Sequence, residues 1–157
     1  MTIMSDTNRI ERNILIKASR ERVWRALTTA GEFGTWFGIN LTGQAFVPGQ
    51  TVRGLMDPEK CGHENVWMDI TVDRIEPQDL FSYRWHPFPV NTSIDYSAEQ
   101  PTLVTFTLED APDNSILLTV VETGFDKLPA HRRQEAFLMH TEGWPMQLNH
   151  VSDYASR

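Results

Sequence analysis

Residues 140–151 read HTEGWPMQLNHV. Gly143 and Pro145, from the two poorest helix-forming residue types, flank Trp144. Yet Phe137, His140, Trp144, Leu148 and Val151 recur at spacings of three, four, four and three, which places them in one stripe along a helix that begins near Pro129. A mid-helix proline costs about 3 kcal/mol and a glycine about 1 kcal/mol. Burying the four apolar side chains of the stripe contributes roughly 6–10 kcal/mol, as an upper estimate. Packing wins, so the spacing predicts a helix that persists and bends near Gly143–Pro145, where Pro145 has no N–H and its ring crowds the Thr141 carbonyl. A bent helix laid across a curved sheet need not touch it everywhere, and a cavity can form where the two separate.

Upstream of this helix the chain alternates. IERNILIKA (10–18) sets Ile10, Ile14 and Ile16 on one face. Ser19 is placed to cap a following helix with Glu21 in its first turn, and Gly31 is expected to interrupt it before a second short helix carrying Phe33, Trp36 and Phe37 and ending at Gly38. Strands are expected at INLTGQAFV (39–47) and QTVRGLM (50–56), joined through Pro48-Gly49 at the centre of a type II turn. After a loop, DPEKCGHE (57–64), a strand NVWMDITV (65–72) puts Val66, Met68, Ile70 and Val72 on one face; Ile75 falls out of phase, which predicts a bulge near Arg74. Phe81, Tyr83 and Trp85 alternate in the next strand, Val104, Phe106 and Leu108 in the one after, and ILLTVVETGF (116–125) is the last. Between them, residues 87–101 form a connection of a length that reads either as a lid or binding loop or as a disordered insertion.

The chain has 157 residues and a net charge of −7. Its length suits one domain, here residues 10–157, behind a frayed N-terminal stretch 1–9. The negative charge and the lack of a basic stripe argue against nucleic acid. No apolar run approaches the roughly 20 residues of a membrane span, and MTIMSDTNR has no apolar core for a signal peptide, so a cytoplasmic location is expected. Cys61 is the single cysteine, which excludes an intramolecular disulfide and Cys₄ metal or iron–sulfur sites. The CGHE run (61–64) has poor spacing for zinc, and no second cluster supplies ligands; no metal is expected. No phosphate-cradling or dinucleotide-binding glycine motif and no Gly-x-Ser-x-Gly element is present, so no cofactor is expected.

The order of strand, two short helices, antiparallel strands and long final helix resembles the SRPBCC or START-like helix-grip superfamily. Within it the chain is similar to the C-terminal domain of activators of the heat-shock-protein-90 ATPase. The resemblance is carried by SRERVWRALTTAGEFGTWF (19–37), RIEPQDLFSYRW (74–85), TLVTFTLE (102–109), LLTVVETGF (117–125) and EGWPMQLNHVSDY (142–154). It implies an α+β helix-grip fold: a curved antiparallel sheet of about seven strands, two short helices after the first strand, and a long, bent C-terminal helix over the sheet. It further implies an apolar cavity, and members that bind lipids or hormones, act as polyketide cyclases, or serve as stress-related co-chaperones. The activators carry a further N-terminal domain for which these residues leave no room, which argues against the co-chaperone role.

Glu122 follows Ile116, Leu118 and Val120 on one strand face, so it either enters an apolar cavity or ends the strand at a wet rim. In a cavity without a nearby cation its pKa is expected to rise, making it a general acid or a ligand anchor. His140 lies on the buried stripe and could face it, as an acid–base pair or an orienting pair, or simply be a satisfied helix histidine. The remaining candidates for a ligand-binding wall are Trp36, Phe37, Met56, Tyr83 and Trp85, with Phe106, Phe137 and Trp144 from the later elements. Three functions compete: binding of a small hydrophobic or amphipathic ligand, cofactor-independent cyclase- or hydrolase-type catalysis by Glu122 with His140 or Tyr83, and binding of a chaperone partner. A homodimer is compatible with each.

Overall fold

The computed structural model describes residues 8–87, 89–91 and 93–157; residues 1–7, most of the stretch expected to fray, lie outside them. Asn8 is tied to the sheet's far end, its side-chain oxygen accepting the backbone N–H groups of Gly124 and Asp126. From Arg9 the elements run β1 (Arg9–Ile16), α1 (Arg20–Thr28), α2 (Ala30–Phe37), β2 (Thr51–Leu55), α3 (Pro58–Cys61), β3 (Trp67–Glu76), β4 (Leu80–Trp85), β5 (Thr102–Ala111), β6 (Ser115–Thr123) and α4 (Ala130–Ala155). One curved antiparallel sheet has the order β1-β6-β5-β4-β3-β2, and α4 packs across it against β1, α1 and α2. No helix among the described residues is long and apolar enough to cross a membrane.

The sheet has six strands, not about seven. The stretch 39–47 is not a strand, although Ile39, Leu41 and Phe46 are buried from it. It touches β2 through a single bridge, Ile39 to Met56, and then through a side chain: Gln44 Nε2 donates to the Arg53 carbonyl at 2.8 Å while the Arg53 N–H donates to Gln44 Oε1 at 2.9 Å. One glutamine amide thus supplies the donor and acceptor that a neighbouring strand's peptide would offer, and it covers an edge that would otherwise be open to pairing. The chain passes so close that a Cβ on Gly54 would sit 2.4 Å from the Asn40 carbonyl oxygen, so that position requires glycine. The Pro48-Gly49 turn forms as expected, with Gly49 at φ 85° and Gln50 N–H bonded to Val47 O, but it leads from this irregular stretch into β2.

Local signals place the remaining elements. Ser19 caps α1 by accepting the Arg22 N–H. The break between α1 and α2 falls at Thr29 rather than at Gly31, which lies inside α2. Thr29 closes one helix with its N–H on Arg25 O and opens the next with its carbonyl on Phe33 N–H; its β-branched side chain suits this extended backbone. Within the expected loop 57–64, Asp57 caps the one-turn helix α3. The bulge in β3 appears between Val72 and Arg74. Helix α4 continues through Gly143 and Pro145, with Trp144, Leu148 and Val151 buried.

The described part of 87–101 is ordered by its own hydrogen bonds and by one clamp. Asp95 Oδ1 accepts from Ser97 N and Oγ, and Tyr96 OH accepts the Asn91 N–H. Arg132, on the first turn of α4, donates to both carboxylate oxygens of Glu99 at 2.8–3.0 Å and to Pro87 O at 2.6 Å, and it lies over the Tyr96 ring at 4.6 Å. Both side chains of this ion pair are only 9% exposed. Arg132→Ala is therefore expected to cost roughly 3–5 kcal/mol, because it leaves Glu99 buried and unpaired. Urea unfolding measures that loss, and limited proteolysis should show new cleavage within 87–101.

Candidate functional site: a buried carboxylate beneath an apolar cleft

On β6 the inward face runs Ile116, Leu118, Val120, Glu122, between Ile10 of β1 and Val104 of β5 at the Glu122 rung. Glu122 is not at a rim: it is 0% exposed. Four groups donate to it. Thr102 Oγ1 and Trp85 Nε1 reach Oε2 at 2.6 and 2.8 Å; His140 Nδ1 and Trp144 Nε1 reach Oε1 at 2.6 and 2.9 Å. The first two are cross-strand neighbours on β4 and β5, and the second two lie one turn apart on α4. The sheet thus fills one carboxylate oxygen and the helix the other, matching the roughly four lone-pair sites of a carboxylate.

Burial alone would raise the pKa of Glu122, and that is the largest single effect on it. The opposing charge of His140 and the hydrogen bonds from His140, Thr102 and Trp85 outweigh it, so the pKa lies below the ordinary carboxylate value. The rise expected from the sequence presupposed no compensating partner nearby; His140 and the other donors reverse it. An ionised Glu122 only accepts, so His140 Nδ1 must donate, and Glu122 is no general acid. The other ring nitrogen, Nε2, takes no partner from the described residues. It belongs to a side chain that lines a cleft between α4, α2 and the sheet.

That cleft encloses about 310 Å³, with apolar walls from Met56, Val66, Met68, Val90 and Met139. A further 110 Å³ adjoins it beside Trp144, and Phe37, Trp85, His140, Gly143 and Gln147 wall both parts. Gly143 explains the helix breaker of the opening sequence: a Cβ there would meet nothing within 4 Å, so its absence widens the cleft rather than relieving a clash. Gln147 donates to Phe37 O at 3.1 Å, and its oxygen pairs with His150 Nδ1 at 3.1 Å.

The family model described as Activator of Hsp90 ATPase homolog 1-like protein matches residues 17–156. The chain belongs to that family. No curated protein matches it. Among solved structures of the same fold, protein MLL2253 from Mesorhizobium loti has a TM-score of 0.70 at 20% identity, covering 93% of this chain and 95% of that one. The Aha1 dimer protein from Colwellia psychrerythraea has a TM-score of 0.67 at 20% identity over 94% of this chain and 96% of that one. A protein from Arthrobacter aurescens reaches 0.72 at 15% identity, covering 99% and 91%. At such identities the likeness is one of fold.

The residues singled out from sequence separate into two groups. Phe37, Met56, Trp85, His140 and Trp144 line the cleft, with Glu122 directly beneath. Trp36 is core, its indole N–H on Ala26 O at 2.8 Å. Phe137 stands edge-on to Phe125 at 5.2 Å, away from the cleft wall. Tyr83 and Phe106 are sealed in the aromatic core, which fills most of the space between sheet and helices. The Tyr83 hydroxyl has no hydrogen-bond partner among the described residues, and burial, then the Glu122 charge, pushes its pKa well above 10.0. It is neither an acid nor a base for anything in the cleft. Sequence reasoning missed Thr102, Gly143, Gln147, Lys60 and His150. For Thr102 a signal existed, since it opens the strand whose register sets it opposite Trp85. Among the described residues no three His, Cys, Asp or Glu side chains converge as a metal would require, and the Cys61 thiol donates to His63 O.

Glu122→Gln turns one acceptor oxygen into a donor NH₂ facing other donors, and should cost about 3 kcal/mol. The folded pKa of Glu122 lies below its unfolded value, so its contribution is complete above the ordinary value of 4.5 and is lost as pH falls through the folded value. Wild-type stability, measured by urea unfolding from about pH 6 to pH 3, should therefore fall more steeply than that of Glu122→Gln. Tyr83→Phe removes an unpaired hydroxyl and should leave stability unchanged or raise it by up to about 1 kcal/mol, again read by urea unfolding.

Proposed function

We propose that the chain binds a small, largely apolar molecule in the cleft between α4 and the sheet, with a polar group of that molecule meeting His140 Nε2. The observation that carries this reading is the pairing of one fixed imidazole with apolar walls. Its Nδ1 is committed to a fully buried carboxylate while the ring lines about 310 Å³ of space. Pockets for small ligands are of this kind, mostly apolar and aromatic with a few convergent polar groups. The family match and the helix-grip fold support the same reading.

One observation favours a second reading, cofactor-independent acid–base catalysis. A buried carboxylate that holds Nδ1–H sets the tautomer and orientation of an imidazole and stabilises its protonated form, so that Nε2 could accept a substrate proton. In that reading His140 is the base and Glu122 only positions it. The family's description also names an ATPase activator, and the Colwellia protein is a dimer; chaperone-partner binding and homodimerisation are the partner readings these support. A cytoplasmic, stress-related setting suits all of them.

Trp85 and Trp144 report on the cleft directly, because their indole N–H groups point at Glu122 and their rings stack at 5.9 Å. Screening aromatic and aliphatic fragments by NMR should shift these two indole signals and leave that of Trp24 unmoved. Gly143→Leu, which places a side chain where the glycine leaves space, should abolish the shifts and keep the protein folded. A screen in which no fragment moves either signal would refute the binding reading.

A further inference from the structure

The charges around the cleft are one-sided in a chain where acids outnumber bases by 21 to 14. No aspartate or glutamate lines either part of it. The charged residue that does is Lys60, with His140 and His150 as the other ionisable nitrogen groups in the wall. Lys60 makes no ion pair among the described residues. Of the acids beside it in sequence, Asp57 caps α3 by accepting the Glu59 N–H, and neither Asp57 nor Glu59 is part of the cleft wall. Nor is Glu142 of α4.

The stem of Lys60 is also positioned. It lies across Gly38, the left-handed cap of α2, so closely that a Cβ there would sit 2.7 Å from Lys60 Cδ. A bare glycine at that point lets the lysine methylenes lie against backbone, and Lys60 is an exposed residue of the cleft wall, a disposition usual for a long cationic side chain beside apolar surface. The carboxylate buried nearby, Glu122, already accepts from four donors of its own and does not reach Lys60 as an ion pair.

We infer that the cleft selects small amphipathic anions: an apolar body lies along the methionine and tryptophan walls, and a carboxylate-type head meets the Lys60 ammonium at the mouth. This rests on the reading above that the cleft binds a small, largely apolar molecule and narrows it to a ligand class, with the head group at Lys60 rather than at His140 Nε2. A neutral molecule of the same shape loses the charge-assisted contact, and a cationic one faces an unpaired ammonium.

Phenylbutyrate, phenylbutanol and phenylbutylamine share one apolar body and differ in the head, so they separate the two claims. Their affinities follow from NMR titration of the Trp85 and Trp144 indole signals. Phenylbutyrate should bind about tenfold more tightly than phenylbutanol, with phenylbutylamine weakest. Lys60→Met keeps the stem and removes the charge; it should weaken phenylbutyrate by about the same factor and leave phenylbutanol unchanged. Lys60→Glu should reverse the order in favour of the amine. Equal binding of the acid and the alcohol, or an unchanged acid affinity in Lys60→Met, overturns the anion inference while cleft binding stands. Failure of all three probes to shift either indole overturns the binding reading itself.

Discussion

A carboxylate with no contact with water holds the two halves of this fold to each other. Glu122 rises from β6 among isoleucine, leucine and valine neighbours, and desolvating its charge would be prohibitive without partners. Those partners come in equal number from the sheet and from α4. Apolar packing brings helix and sheet together but does not fix the helix in rotation or along its axis. Two donors one turn apart, aimed at a single oxygen, do fix it. Buried ionic groups rarely add much net stability compared with a well-packed apolar alternative, and their strongest attested use is to specify one arrangement. That use fits here: the aromatic core supplies cohesion, and the carboxylate selects which turn of α4 sits above it.

The cleft follows from that selection. With His140 and Trp144 held down to Glu122, Gly143 between them and Gln147 one turn on from Gly143 line the cleft beside them, and the space left by the missing Cβ opens at that level. Loop 87–101 contributes Pro89 and Val90 to the far wall, and Arg132 holds that loop from the same helix. Two polar anchors on α4, Arg132 and His140, thus set both sides of one opening.

Much of this was legible in the sequence, for a physical reason. Strict alternation in Ile116, Leu118, Val120 and Glu122 leaves one inward face, and the 3-4-4-3 stripe leaves one buried helix face; together they bring Glu122 and His140 to the same interior. The bulge after Val72 was visible because one residue out of phase must be absorbed somewhere. What was not legible depends on groups that imitate others. Residues 39–47 have a strand's apolar content, yet beyond the one bridge at Ile39 the hydrogen bonding to β2 is made by the Gln44 side chain, which no periodicity reveals. Thr29 breaks the helix pair through its backbone while Gly31, the stronger breaker, sits unremarked inside α2. Tyr83 and Phe106 share the pattern of Trp85 but are buried, Tyr83 under Phe33 of α2 and Phe106 against Phe81, Tyr83 and Trp144, so pattern alone could not separate wall from filling. Lys60 carries no pattern at all; its position is fixed by a glycine more than twenty residues earlier in the chain.

The split of donors around Glu122 also bears on the order in which the chain leaves the ribosome. β4, β5 and β6 are made before α4, so a sheet that formed before α4 emerged would offer the carboxylate Trp85 and Thr102 for one oxygen and nothing for the other. Closing the sheet over that oxygen early would trap a half-solvated charge, which disfavours a compact intermediate that lacks residues 140–144. Nascent chains stalled before this point should thus remain open at the Glu122 end of β6 and close only when the histidine and tryptophan of the final helix arrive together.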